Sequence, residues 1–383
     1  MSRSELRPLR VVQATRVRQN PYVTLLGRAM QARAAQMDWW VTADLSPEWA
    51  AAYGHQIDVL HLHWPDLFYQ ANTMWGRARA LAALLGVLAG LQAQGVALVY
   101  TVHNLLPHEA PWPWLDWLAT MWLMRRADIV HVHDPETAHE ISRWRWGRRR
   151  ERVWIIPHGH YIHAYPNVRT RAEARRYLDL PEDAFVYLFL GQIRPYKGLE
   201  HLLEAFRDVA RDRDRLVVAG NARPRDGEYV EFLLRRAAID PRVQIRVGYV
   251  PDGEVQYYMN AADICVLPYR QAVTSGGALL AFSFGRAIVA PRLGPFPRLV
   301  GAGERGVLYD PRDEAGLARA LVQARALDLE AASAAALAYA RAQDWDRLAQ
   351  QHLAAYQEAM ARARRRLSDA QPARLRSSEA RRR

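Results

Sequence analysis

Residues 188–206, LFLGQIRPYKGLEHLLEAF, leave this chain few folds to choose from. Phe185–Leu190 (FVYLFL) is apolar throughout, as a strand is when helices cover both faces of a parallel sheet. Leu199, Leu202, Leu203, Phe206 and Val209 recur at helical spacing, so one face of 199–211 packs inward. Between strand and helix, Gly191 lets the backbone turn at the strand's C-terminal edge, where open α/β sheets bind ligands. Arg194 and Lys197 set two cations beside a helix start whose free amides already favour an anion. Together these features imply a phosphate or diphosphate ligand. The plainer alternative is a solvated, positively charged loop.

The rest of the chain reads as two α/β units without internal repeats. In the first, strands are expected at Leu9–Ala14, 58–62, 97–102, 128–133 and 153–156, with a helix near 23–37 and a buried helix over 80–91. His63, Asp66, His103, Asn104, His108 and Glu109 gather just beyond strand ends, where a doubly wound sheet places its chemistry. The linker is expected at 164–175. The second unit has strands near Phe185, Leu216, Val243, Ile264 and Ile288, alanine-rich helix over 315–339 and an amphipathic helix over 345–360.

Four stretches carry a family resemblance, in the right order and spanning roughly residues 10 to 358. They are the cation loop above, 152–161 (RVWIIPHGHY), 247–268 (VGYVPDGEVQYYMNAADICVLP) and 279–291 (LLAFSFGRAIVAP). The set resembles the family-4-type glycosyltransferases of the GT-B fold. That resemblance implies two Rossmann-like domains facing across a cleft, an acceptor-binding one over 1–166 and a nucleotide-sugar-binding one over 167–340. It also implies a helix over 341–360 that crosses back to the first domain, before a basic tail over 361–383. In that family two glutamates lie eight positions apart before the helix–Gly–strand unit; here Ala272 and Leu280 occupy those places. What remains is TSGG, Thr274, Ser275, Gly276 and Gly277, where Thr274 or Ser275 can cap a helix and the glycine amides can form an anion nest. A capped helix with a permissive glycine pair is the plainer reading of TSGG.

Breaking a sugar–diphosphate bond develops charge on the leaving phosphate, which fixed cations and amides stabilise without a metal or cofactor. The expected donor site is therefore Gly191, Arg194, Lys197 and Thr274–Gly277 of TSGG. Asp212 and Asp214 show a metal-site spacing but are expected to be solvated in a charged helix end. If the reaction inverts, a base must take the acceptor's proton, and His103, Glu109 and Asp66 are the candidates. His103 sits where the family has a histidine after a strand. The resemblance implies a hexosyltransferase using a nucleotide sugar on a lipid-linked or polysaccharide acceptor, as in exopolysaccharide or glycolipid assembly. With both glutamates missing, a non-catalytic donor-binding relative and other nucleotide-sugar chemistry, hydrolysis or epimerisation, stay open.

The net charge is +12, but 361–383 holds nine arginines against Asp369 and Glu379, so the rest of the chain carries only +5. The tail is expected to be disordered beyond about 367 and to be drawn to anionic lipid. No zinc-finger spacing, RNA-recognition signature or basic-region heptad supports nucleic acid as a partner. One cysteine, Cys265 in an apolar run, fits a reducing compartment, and the N-terminus lacks a signal peptide's apolar core. Twelve of thirteen tryptophans lie in the first 154 residues. Two clusters, 112–126 (WPWLDWLATMWLMRR) and 143–152 (RWRWGRRRER), mix aromatics with arginine and suit a bilayer interface as well as a core. The expectation is a cytoplasmic protein, peripheral at the inner face of the membrane.

Overall fold

The structure, a computed structural model, describes residues 7–17, 20–34, 36–105, 111–143 and 150–380, from 370 onward as backbone. The chain divides into two compact units, Met1–Pro157 with Trp345–Arg383, and His158–Asp344. The divisions fall at 157 and 344 rather than at 166 and 340. The segment read as a linker belongs to the second unit, and the helix expected to resume at 172 is Arg171–Tyr177, started by a Thr170–Glu173 capping box.

Unit 1 holds one parallel sheet of β1 (Leu9–Ala14), β2 (Met37–Thr42), β3 (Val59–His63), β4 (Ala97–Thr101), β5 (Ile129–Val132) and β6 (Val153–Ile155), in the order β2-β1-β3-β4-β5-β6. Unit 2 holds another, of β7 (Phe185–Leu190), β8 (Asp214–Gly220), β9 (Val243–Val247), β10 (Ile264–Val266), β11 (Ala287–Pro291) and β12 (Gly306–Tyr309), in the order β12-β11-β10-β7-β8-β9. β2 and β12 are the strands the sequence reading lacks; both are sheet edges. β2 carries Trp39 and Trp40 on a strand only partly buried, without the continuous apolar run that marks a central strand.

The C-terminal helix, Trp345–Ala380, runs well past 360 and through the segment that composition marks as disordered. Its first half belongs to the core of unit 1: Leu348, Ala349, Ala355, Tyr356, Ala359 and Ala363 are buried with Val11, Leu26, Met30, Val59 and Val99. Arg362, Arg365 and Arg366 on it have partners within unit 1. Arg366 pairs with Asp128 and donates to the carbonyls of Gln92 and Val96, and Arg362 pairs with Glu358 at 2.7 Å. Cys265 is buried beside Met259 and burial pushes its thiol up to about 12, as expected of a packing residue.

Candidate active site

In unit 2 the chain starts at β7 and builds outward on both sides, so β7 and its neighbour β10 flank the point where strand order reverses. Open α/β sheets bind ligands at the C-terminal strand ends beside such a point. After β7 the backbone turns at Gly191, and Ile193 N–H bonds to Asn221 O at 2.8 Å. The residue that must be glycine for this approach is Gly220, whose Cβ would lie 1.8 Å from the Gly191 carbonyl oxygen. A short 3-10 turn, Pro195–Lys197, leads to Gly198 at φ +67, where a Cβ would meet the Pro268 carbonyl at 2.3 Å. Helix Leu199–Val209 then begins without a side-chain cap. Its first amides, those of Leu199 and Glu200, face the Tyr229 hydroxyl.

Arg194 and Lys197 are half-buried and, among the described residues, neither has an ion pair; Arg194 Nε is buried without any partner. Lys197 Nζ lies 3.4 Å from the centre of the Tyr269 ring and 4.8 Å from that of Tyr196. Burial, and after it the charge of Arg194, pull the Lys197 ammonium down to about 7. Two neighbouring half-buried cations are costly to hold, and an anion placed between them lowers that cost.

The helix after β10, Gly276–Ser283, is capped by Ser275, whose Oγ accepts from Ala278 N–H at 3.1 Å. Thr274 Oγ1 is buried without a partner. The amides of Gly276 and Gly277, first in the helix, have no intrahelical acceptor. An added Cβ at Gly277 would lie 3.0 Å from Tyr269 Oη. Tyr269 thus has the Lys197 ammonium on its face and its hydroxyl at the helix start, joining the two halves of the expected donor site. Neither Ala272 nor Leu280 offers a carboxylate, and the Ala272 carbonyl packs against Gly294 instead.

Asp212 and Asp214 are not a metal site, and Asp214 is not solvated. It is buried at the N-terminal end of β8, accepts from Arg211 N–H at 2.9 Å and pairs with Arg325. Among the described residues no cluster of His, Cys, Asp or Glu is arranged to hold a metal ion.

Unit 1 presents a different chemistry. His61 and His63 on β3, Thr101 on β4 with His103 beyond it, His131 on β5 with His133 beyond it, and Gln13 on β1 are all buried. The C-terminal helix adds His352 and Tyr356. Burial first, then the charges of neighbouring histidines, depress His61 well below the usual imidazole value and His63 to about 3; burial brings His352 to about 4. His103 Nε2 is 2.9 Å from His63 Nδ1, and its ring stacks on Trp64 with centroids 3.7 Å apart. Trp64 occupies the left-handed region at φ +45, a strained conformation for a large side chain, at the C-terminal end of β3. Asp66 follows in the turn Pro65–Tyr69, half-buried. Glu109 and His108 lie outside the described residues. The network as a whole escaped the sequence reading, although its signal is present: the pairs His61/His63 and His131/His133 sit two apart, facing one side of a strand.

Two six-stranded, doubly wound parallel sheets, one with Arg194 and Lys197 beside its switch point, match the GT-B class of nucleotide-sugar transferases. Residues 184–326 match the family described as "Glycosyl transferases group 1". A GDP-mannose:glycolipid 4-beta-D-mannosyltransferase of Xanthomonas campestris is 31% identical over 314 residues, 79% of this chain and 80% of the relative. A D-inositol 3-phosphate glycosyltransferase of Streptosporangium roseum is 30% identical over 327 residues, 79% of this chain and 70% of the relative. Among solved structures, sucrose-phosphate synthase of Thermosynechococcus elongatus superimposes with a TM-score of 0.71 at 20% identity, over 93% of this chain and 99% of that one. Anabaena HepE in complex with UDP-glucose gives a TM-score of 0.71 at 18% identity, over 90% and 98%. The chain belongs to the group 1 glycosyltransferases and is a nucleotide-sugar-dependent glycosyltransferase.

Proposed function

We propose that the protein moves mannose from GDP-mannose to a lipid-linked saccharide, with inversion and without a metal, at the inner face of the membrane during exopolysaccharide or glycolipid assembly. The observation that carries the donor half is the pair Arg194 and Lys197, unpaired beside Tyr269 and the open start of helix Gly276–Ser283. Those groups supply the charge stabilisation that the leaving diphosphate needs, which makes a bound cation unnecessary. Inversion is supported by the alanine and leucine at 272 and 280. It is supported too by the Xanthomonas relative, named for a β linkage, since nucleotide-linked D-mannose carries the sugar as its α anomer. His103 is the proposed base, at the C-terminal end of the strand beside Trp64.

Incubating the enzyme with GDP-mannose, a polyprenyl-diphosphate-linked glycan and EDTA, and following GDP release, tests this directly. Acceptor-dependent release with a β-linked product by its anomeric NMR coupling is the expected result. Release without acceptor would mean hydrolysis; binding without release would mean a non-catalytic relative; turnover only after manganese addition would remove metal independence.

The proposed membrane face lies on helices Met74–Ala93 and Pro113–Arg126. Arg77 on the first pairs with Asp116 on the second at 2.6 Å, both buried, which sets the two helix starts side by side. Around that pair Trp75 is 77% exposed, Trp114 52%, Trp117 45% and Leu118 45%. The exposed charges of both helices are Arg79, Arg125 and Arg126, and their single acid is the buried Asp116. Exposed aromatics with cations alone complement an anionic bilayer. Met74–Ala93 is long and apolar enough to span a bilayer, yet Leu81, Leu84, Val87, Leu88 and Leu91 pack into unit 1. Replacing Trp75, Trp114 and Trp117 together by Ala should abolish flotation with phosphatidylglycerol vesicles while leaving turnover of a soluble acceptor intact; undiminished flotation would remove this face from the proposal.

A further inference from the structure

Lysine occurs once in this chain: of its 52 lysines and arginines, only Lys197 is a lysine. A sequence that meets every other need for positive side-chain charge with a guanidinium keeps a compact ammonium here. The surroundings of that side chain give a physical reason. Its Nζ lies 3.4 Å from the centre of the Tyr269 ring and 4.8 Å from that of Tyr196, and the two rings meet edge to face at 65°. A single nitrogen fits such a corner, whereas a guanidinium brings two more nitrogens and a plane that can lie flat on only one ring. Aromatic faces attract a cation through their quadrupole and leave its net charge uncancelled, unlike a carboxylate partner. The charge therefore stays available to an anion.

Tyr269 is itself held. It is buried, its ring packs edge-on against Phe296 with centroids 5.7 Å apart, and its hydroxyl meets the Ser275 side chain. A Cβ added at Gly277 would lie 3.0 Å from that hydroxyl, so the ring reaches the first turn of helix Gly276–Ser283. The turn that carries Lys197 is pinned to the same strand end. Arg270 N–H donates to the Tyr196 carbonyl at 2.9 Å, and Gly198 packs against the carbonyl of Pro268. One ring thus sets the distance between the ammonium and the first amides of the helix.

We propose that Tyr269 is a positioning residue of the transfer reaction: its face holds the Lys197 ammonium, its hydroxyl braces the start of helix Gly276–Ser283, and with Tyr196 it selects lysine over arginine at 197. The proposal rests on the donor-site reading, and the test separates the two ideas.

Because the chain has one lysine, enzyme labelled with carbon-13 at lysine Cε and nitrogen-15 at Nζ gives one side-chain NMR signal, whose pH titration reads the ammonium without any substrate. The charged and titratable groups facing it are Arg194, Tyr196 and Tyr269. The wild-type midpoint is expected at about 7. Tyr269→Phe keeps the face and should keep that midpoint, with kcat/KM about threefold lower through the lost hydroxyl contact. Tyr269→Leu loses the face and should lower the midpoint by about one pH unit and kcat/KM about tenfold. Tyr269→Met, which fills the space without a π face, gives the same reading if the leucine protein is unstable. Lys197→Arg keeps the charge and should still lose about tenfold in kcat/KM. In a Lys197→Met background Tyr269→Leu should cost nothing further. An unmoved midpoint in folded Tyr269→Leu or Tyr269→Met protein, an equal cost of Tyr269→Leu with and without Lys197, or full turnover by Lys197→Arg would overturn the inference. Wild-type turnover by Lys197→Met would refute the donor-site reading instead, with the titration standing by itself.

Discussion

Replacing Lys197 or Arg194 by Met lowers kcat/KM by about 10²–10³ each, the cost of removing one fixed charge from a developing oxyanion. The decline falls mainly on kcat, because charge on the bridging phosphate oxygen grows as the glycosidic bond breaks. Thermal stability should hold or rise, since neither cation has an ion pair to lose among the described residues and each raises the cost of the other. That combination distinguishes ligand-binding cations from structural ones. Steady-state rates and a melting curve on the two variants decide it: near-wild-type kcat/KM, or a large fall in melting temperature, would contradict the assignment.

The second large effect is loss of unit 1 in mild acid. His61, His63 and His352 have folded values below the ordinary 6.5, so the unfolded chain binds protons that the folded one refuses. Their contribution is complete above pH 6.5 and drains away as pH falls toward the folded values, about 4 for His352 and about 3 for His63. One neutral histidine in that window costs about 1.4 kcal/mol per pH unit, so three together cost about 4. Against a typical stability of about 5–15 kcal/mol, unit 1 should unfold within roughly one to four pH units below 6.5. Unit 2, with His158 at about 4 and the half-buried His160 also lowered by burial, falls off less steeply. Every tryptophan lies in unit 1, so urea melts followed by tryptophan fluorescence report that unit alone. The urea midpoint should drop sharply between pH 6.5 and 5; an unchanged midpoint would mean that the histidines charge without cost.

The strand, turn and helix of 188–206 were legible in the sequence because their parts are local. A strand, a glycine turn, two cations and a helix lie within 188–206, and Ser275 caps its helix three residues from the amide it binds. The assembly of the two halves was not legible, since it runs through Tyr269, which nothing in its neighbourhood marks as special. The same holds for Gly220, whose constraint comes from the carbonyl of Gly191 on the adjacent strand. Composition misled at the C-terminus: counted as surplus charge, Arg366 is the partner of Asp128, some 240 residues earlier. Histidine pairs on β3 and β5 were visible, but their meaning depends on which strands lie side by side and on Tyr356 arriving from the far end of the chain.

The switch-point crevice of unit 2 as a diphosphate site is tested most directly by the protons that move when the donor binds. Calorimetric titration at pH 8, without acceptor and in buffers of different ionisation enthalpy, should use whichever sugar nucleotide a thermal-shift panel of GDP-, UDP- and ADP-sugars selects. With its ammonium pulled down to about 7, Lys197 is mostly neutral at that pH in the empty protein and becomes charged against a diphosphate. Binding should take up about one proton in the wild type and none in Lys197→Met, which also binds more weakly. Equal affinity and equal proton uptake in the two proteins would place the diphosphate somewhere else.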